Sequence, residues 1–149
     1  MKRRDFLRTA GAATAAAAVP GWLTAKPGDR PLRILILGGT RFLGIHMTEL
    51  ALKRGHSVTL FNRGRTNTNL FPQVERITGD RNGDIDGLKG RQWDAVIDNS
   101  GYVPRHVRTT AELLAPNVKH YLFVSSVSVY PDFSEARSES SPLARIEDE

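Results

Sequence analysis

The stretch that most limits what this chain can fold into is Ile34 to Gly44. An apolar run, Ile34-Leu35-Ile36-Leu37, stops on Gly38-Gly39, and apolar residues then recur at helical spacing, at Leu43, Met47, Leu50 and Ala51. Four apolar residues without polar alternation suit a parallel strand buried on both faces. The chain has only Gly38-Gly39-Thr40-Arg41-Phe42-Leu43-Gly44 in which to turn from strand into helix. Glycine keeps side chains out of that turn and lets the backbone itself approach a ligand. The unpaired N–H groups and positive dipole end of the helix converge there, so the predicted ligand is an anion, above all a phosphate.

The rest of the chain reads relative to that turn. Helix one is predicted from Phe42 to Arg54; Gly55 stands at its C-terminal position, and Lys53 and Arg54 complement the dipole. Strand two, Ser57 to Phe61, completes a βαβ unit of about 30 residues. After a polar loop from Asn62 to Asn69 come a short strand, Val74 to Ile77, then Thr78-Gly79-Asp80-Arg81 and a short helix or turn between Asp84 and Gly90. Strand four, Asp94 to Asp98, closes on Asn99-Ser100-Gly101. Pro104 can begin a helix at its first turn, with Val107, Ala111, Leu113 and Leu114 as its apolar side, and strand five runs from His120 to Ser125. This alternation predicts an α/β fold, a Rossmann-like doubly wound parallel sheet of strand order 3-2-1-4-5, with its ligand crevice at the carboxyl ends of strands one and four. Residues 32–130 form that domain, and residues 131–149 are an acidic, serine-rich segment of no clear period.

Residues 1–25 do not belong to the fold. A basic start with adjacent Arg3 and Arg4, then Phe6-Leu7, leads into an alanine-rich stretch broken by Pro20-Gly21. This is the layout of a secretory signal, and the arginine pair resembles the twin-arginine export signal. The weakly hydrophobic middle does not suit a membrane anchor. Residues 26–31 are a turn-rich linker. The expected destination is the periplasm or the extracellular space, reached through the twin-arginine machinery, which carries folded proteins. Of the net charge of +5 in 149 residues, +3 lies in residues 1–25. The +2 that remains argues against nucleic acid as a partner on charge alone. There are no cysteines, which excludes disulfides, thiolate metal sites, a cysteine nucleophile and lipid attachment.

Asn62 ends strand two, where dinucleotide-binding domains place an acidic residue on the adenosine ribose. Asn can bond hydroxyls without the charge that repels a 2′-phosphate, and Arg63 and Arg65 can pair with such a phosphate. This tilts the expected cofactor toward NADP over NAD; the other reading is a solvated basic loop. His46, His56, His106 and His120 lack the company of a metal motif, and no G-x-S-x-G supports a serine hydrolase.

Taken together, Gly38-Gly39-Thr40-Arg41-Phe42-Leu43-Gly44, Gly79-Asp80-Arg81, Asp98-Asn99-Ser100-Gly101, and Phe123-Val124-Ser125-Ser126 with Val129-Tyr130 resemble the N-terminal half of the NAD-dependent epimerase/dehydratase family, the extended or atypical short-chain dehydrogenase/reductases. Arg41 replaces the family's usual middle glycine, a variant that resembles the atypical branch. The resemblance implies roles by position. Phe42 and Leu43 N–H groups face the pyrophosphate, Asp80 accepts from the adenine amino group with Arg81 beside the ring, and Ser100 and Gly101 line the nicotinamide-side ribose. Ser125 lies on the cofactor side, and Ser126 orients the reacting hydroxyl or carbonyl of a sugar-nucleotide or similar small-molecule substrate. Asp80 can equally be a turn residue, and Asn99 to Gly101 can simply end a strand.

In the family a tyrosine and a lysine four residues apart transfer the proton. Here Tyr102, Tyr121 and Tyr130 are followed at that spacing by His106, Ser125 and Ser134. The chain is therefore expected to be the cofactor half of a longer oxidoreductase and not to turn over alone. Its fifth strand would keep an unpaired edge open to association with another copy. The alternative is a non-catalytic dinucleotide- or RNA-binding module, since relatives with a GGTRF-type turn include plastid stem-loop RNA-binding proteins.

Overall fold

The computed structural model describes residues 30–132 and 134–145. The signal and most of the linker lie outside the described residues. The elements in chain order are β1 (Arg33–Leu37), α1 (Leu43–Lys53), β2 (Ser57–Asn62), β3 (Glu75–Thr78), β4 (Trp93–Asp98), α2 (Pro104–Leu114) and β5 (Val118–Phe123), with single 3-10 turns at Asp86–Leu88, Ala115–Asn117 and Val127–Val129. The five strands form one sheet of order β3-β2-β1-β4-β5, and every pairing is parallel. This is the predicted doubly wound, Rossmann-like topology.

Alternation along β1 divides the core. Ile34 and Ile36 pack with Val58, Leu60, Val74 and Ala51 of α1, with Met47 against them. Leu35 and Leu37 pack on the other face with Phe61, Ile77, Leu88, Trp93, Val96 and Leu114 of α2. The two helices therefore cover opposite faces. Leu35, Ile36 and Leu37 have no exposed surface, and full burial of such a side chain contributes roughly 1.5–3 kcal/mol.

α1 ends as its sequence predicts. His56 N–H donates to Ala51 O at 3.0 Å and Gly55 N–H to Leu52 O at 2.9 Å, with Gly55 at φ +78°. This is the paired closure that a left-handed glycine allows.

The buried sides of both helices differ from the expected ones. α1 buries Gly44, Thr48 and Ala51 and leaves Leu50 about half exposed. α2 buries His106, Thr110 and Leu114 in place of the Val107–Ala111 side. Thr48 satisfies its hydroxyl on Gly44 O at 2.8 Å, and Thr110 bonds His106 O at 2.7 Å. Each buried hydroxyl returns its bond to the preceding turn, so it enters the core without an unpaired polar group.

β5 is one residue pair short of its expected end and begins two residues early, at Val118. Among the described residues it borders only β4, and Leu122 and Phe123 remain partly exposed. Among the described residues no helix is long and apolar enough to cross a membrane.

Candidate functional site

The register of the sheet assembles the site. Leu37 is level with Phe61 on one side and Asp98 on the other; Asn62 is level with Thr78, and Asp98 with Phe123. Five strands thus end in one row, and the next residue or two of each, Gly38, Arg63, Gly79-Asp80, Asn99-Ser100 and Val124-Ser125, open into the same cleft. It has a volume of about 1070 Å³, ample for a ligand of dinucleotide size. All of Gly38, Gly39, Thr40, Arg41, Phe42, Leu43, Gly44, Asn62, Arg63, Asp80, Arg81, Ser100, Gly101, Ser125 and Ser126 line it.

The glycine turn is closed so tightly that side chains have no room. Gly38 and Gly39 have φ of +110° and +90°. A Cβ on Gly38 would collide with the Asn99 side-chain amide, and one on Gly44 would fall 2.6 Å from the Gly39 Cα. Gly38 N–H is held by Phe61 O at 2.9 Å, and Ser100 Oγ donates to Leu37 O at 3.1 Å. Asn99 sits between the turn and β4. With its amide oriented to satisfy both ends, it donates to Leu37 O at 2.5 Å and accepts from Gly44 N–H at 3.3 Å. Sequence reading treated Asn99 as a strand terminator and missed this latch; its only signal was its place immediately before Ser100.

Phe42 caps α1 at φ 38°, ψ −118°, and its ring is 87% exposed. That backbone region is costly for a residue with a Cβ. Gly44 and Ile45 N–H turn back onto Arg41 O and Phe42 O, at 3.0 and 3.2 Å. The N–H groups of Phe42 and Leu43 have no acceptor among the described residues, as expected at a helix start. Free donors, a helix N-terminus and a turn into which no Cβ fits suit a pyrophosphate.

At the other end of the cleft, Asp80 Oδ1 accepts from Asn82 N–H at 2.9 Å and from its side-chain amide at 3.0 Å. Those bonds, with the nearby charges of Arg63 and Arg65, hold its carboxyl below the usual range. It is therefore an ionised acceptor at neutral pH. Asn82 Oδ1 receives Arg105 at 3.1 Å and meets His106 Nε2 at 3.0 Å. Burial and the cations Arg81 and Arg105 lower the His106 pKa, while its Nδ1 is buried without a partner. Neither Asn82 nor His106 was singled out from the sequence as a site residue.

Arg81 departs from its expected place beside an adenine ring. Its guanidinium turns inward, 7% exposed, and pairs with the fully buried Asp98 at 2.5 and 2.8 Å. It also donates to His106 O and Thr110 Oγ1, both at 2.6 Å. Tyr121 Oη donates to the same carboxylate at 2.7 Å. Burial raises the Tyr121 pKa far above the ordinary range, which unfits that phenol as a proton carrier at neutral pH.

Ser126 borders the cleft beyond β5, where its Oγ accepts from Ser128 N–H at 3.1 Å and caps the 3-10 turn. The segment after residue 130 folds back toward it, with Ala144 N–H on Val129 O at 2.7 Å and Leu143 and Ala144 bordering the cleft. Among the described residues no cluster of His, Asp and Glu could hold a metal ion.

Residues 1–20 match the TAT (twin-arginine translocation) pathway signal sequence; the chain carries an export signal of that pathway. It is 32% identical over 115 residues to the chloroplast stem-loop binding protein of 41 kDa b from Arabidopsis thaliana, covering 66% of this chain and 30% of that protein. It is 27% identical over 130 residues to UDP-glucose 4-epimerase from Klebsiella pneumoniae, covering 68% of this chain and 94% of that sequence. The Bordetella bronchiseptica enzyme WbmG, solved in complex with NAD, superposes with a TM-score of 0.67 at 18% identity, over 80% of this chain and 46% of the enzyme. The chain thus spans less than half the length of the plant protein and of WbmG. At 18% identity the likeness to WbmG is one of fold.

Proposed function

We propose that the chain is the dinucleotide-binding module of an epimerase/dehydratase-type oxidoreductase. The observation that carries this reading is the convergence of the glycine turn, the Asn62 and Asp80 strand ends and Ser126 on one cleft. NAD binding by a structure of the same fold supports it. When bound, the dinucleotide supplies hydride acceptance and donation. The residues of this chain bind and orient it. Phe42 and Leu43 N–H hold the pyrophosphate, Asn62 meets the adenosine ribose, and Arg63 and Arg65 pair with a 2′-phosphate where one is present. The ionised Asp80 accepts from the adenine amino group. Ser100 and Gly101 border the second ribose, and Ser126 orients a substrate hydroxyl or carbonyl, as on a sugar nucleotide.

Arg81 serves this site through structure, by fixing β4 against the Asp80 loop. No tyrosine of the chain has a lysine four residues on, and Tyr121 is committed to Asp98. The module therefore binds dinucleotide and does not turn over substrate alone. Titration of NAD(H) and NADP(H) into the exported chain tests the reading. Saturable binding at micromolar concentrations is expected, and a folded chain that binds neither pair refutes it.

A second reading rests on the plant relative, whose name records stem-loop binding. Arg41, Arg63 and Arg65 line the cleft and could meet a nucleic-acid backbone. Under this reading stem-loop RNA binds with an affinity that falls steeply with salt, and dinucleotide does not compete.

A further inference from the structure

We infer that Asn67 is a positioning residue that holds the Arg63–Arg65 loop over the ribose end of the cleft, and so sets the preference for a dinucleotide carrying an extra ribose phosphate. The inference rests on the dinucleotide reading above.

The loop after β2 is fastened at two points. At its start, Asn62 Oδ1 accepts from Gly64 N–H at 2.8 Å. At its far end, Asn67 Nδ2 reaches across to the glycine turn and donates to Thr40 O at 2.9 Å. Among the described residues no other hydrogen bond ties residues 64–69 to the glycine turn or the sheet. Arg63, Gly64 and Arg65, between the two fastenings, are exposed and line the cleft. Both arginines act electrostatically on Asp80, which places their charges toward the same end of the site. Asn67 has φ 48°, a left-handed conformation that asparagine accepts more readily than most residues. Among the described residues its amide is the one side-chain group that bonds this loop to the turn proposed to cradle the pyrophosphate.

The glycine turn does not depend on that bond. It is held separately by Gly38 N–H on Phe61 O, Ser100 Oγ on Leu37 O and Gly44 N–H on Arg41 O. Removal of the Asn67 amide therefore frees the arginines while the pyrophosphate cradle stays closed. Two mobile guanidiniums lose more of their advantage on a phosphate than they would pre-organised, because ordering them then opposes binding.

The test is titration of NADP⁺ and NAD⁺ into the full chain and into Asn67→Gly, which keeps the left-handed backbone and deletes the amide. Asn67→Ala serves as a second variant, and circular dichroism verifies that each is folded. The expected result is that NADP⁺ weakens about tenfold while NAD⁺ stays within about twofold. Equal weakening of both, or no change in either, overturns the assignment of Asn67. A parent chain that binds NAD⁺ but not NADP⁺ removes the phosphate preference and leaves the module reading intact. A folded parent chain that binds neither fails the module reading, and this inference with it.

Discussion

Arg81 and Asp98 form a bidentate ion pair in the interior, 2.5 and 2.8 Å between nitrogen and oxygen, with the carboxylate fully buried. The pair ties the loop after β3 to the end of β4. Through His106 O, Thr110 and Tyr121 it also reaches α2 and β5. A buried ion pair adds little over a well-packed apolar pair, but loss of one partner strands the other charge. Arg81→Met is therefore expected to destabilise the fold by about 3–5 kcal/mol, as is Asp98→Leu. The double variant should cost clearly less than the sum of the two. Urea unfolding of the three proteins gives the coupling; additive losses would show that the two charges act independently.

The glycine turn predicts a contrast between two glycines at the ends of one helix. At Gly44 an added Cβ meets Gly39 backbone at 2.6 Å, whereas at Gly55 it meets nothing within 4 Å. Gly44→Ala should open the turn, lower dinucleotide affinity at least about tenfold and cost about 1–3 kcal/mol as an overpacked contact. Gly55→Ala meets only the left-handed backbone penalty, about 1–2 kcal/mol, and should leave affinity unchanged. Parallel thermal melts and titrations separate the two effects, and equal affinity losses would remove the turn from the site.

The export signal gives a prediction about destination. Arg3→Lys with Arg4→Lys keeps every charge of the basic start but removes both guanidinium forks, whose fixed donor geometry an ammonium cannot copy. The precursor is expected to stay in the cytoplasm in cell fractionation, while the parent chain is exported. Equal export of both would mean that the pair is not what the machinery reads.

Much of this fold was legible because its signals are local and physical. The apolar run before Gly38 fixed a strand buried on both faces, and the alternation of elements fixed the order β3-β2-β1-β4-β5. What stayed hidden depends on partners distant in sequence. The family resemblance puts Arg81 beside an adenine ring, and only the fold brings Asp98 within reach of it. Val107 and Ala111 look like the inward side of α2, yet His106 and Thr110 take that place, because Thr110 bonds its own helix and Asn82 receives the imidazole. Asn67 and Asn99 are loop residues whose latching bonds reach 27 residues back and, for Asn99, to Leu37 and Gly44. Neither spacing has a period that a sequence pattern could reveal.

His106 makes stability depend on pH in a window separate from the carboxylates. Its folded pKa lies below the ordinary 6.5, first through burial and then through Arg81 and Arg105, with Asp80 and Asp98 offsetting part of that. In that window the unfolded chain binds the proton more readily than the native one. Stability therefore rises with pH there and falls as the solution is acidified from about pH 7, by at most about 1.4 kcal/mol per pH unit for one proton. Glu75, Asp80 and Asp94 have folded pKa values below the ordinary 4.5, 3.8 and 3.8. Their contributions are present above those values and fade only in stronger acid. Denaturation midpoints between pH 7.5 and pH 5 are thus expected to fall for the parent chain. His106→Gln, which retains a nitrogen donor for Asn82 Oδ1, should be nearly flat over that range. An unchanged slope in the variant would assign the titration to another group.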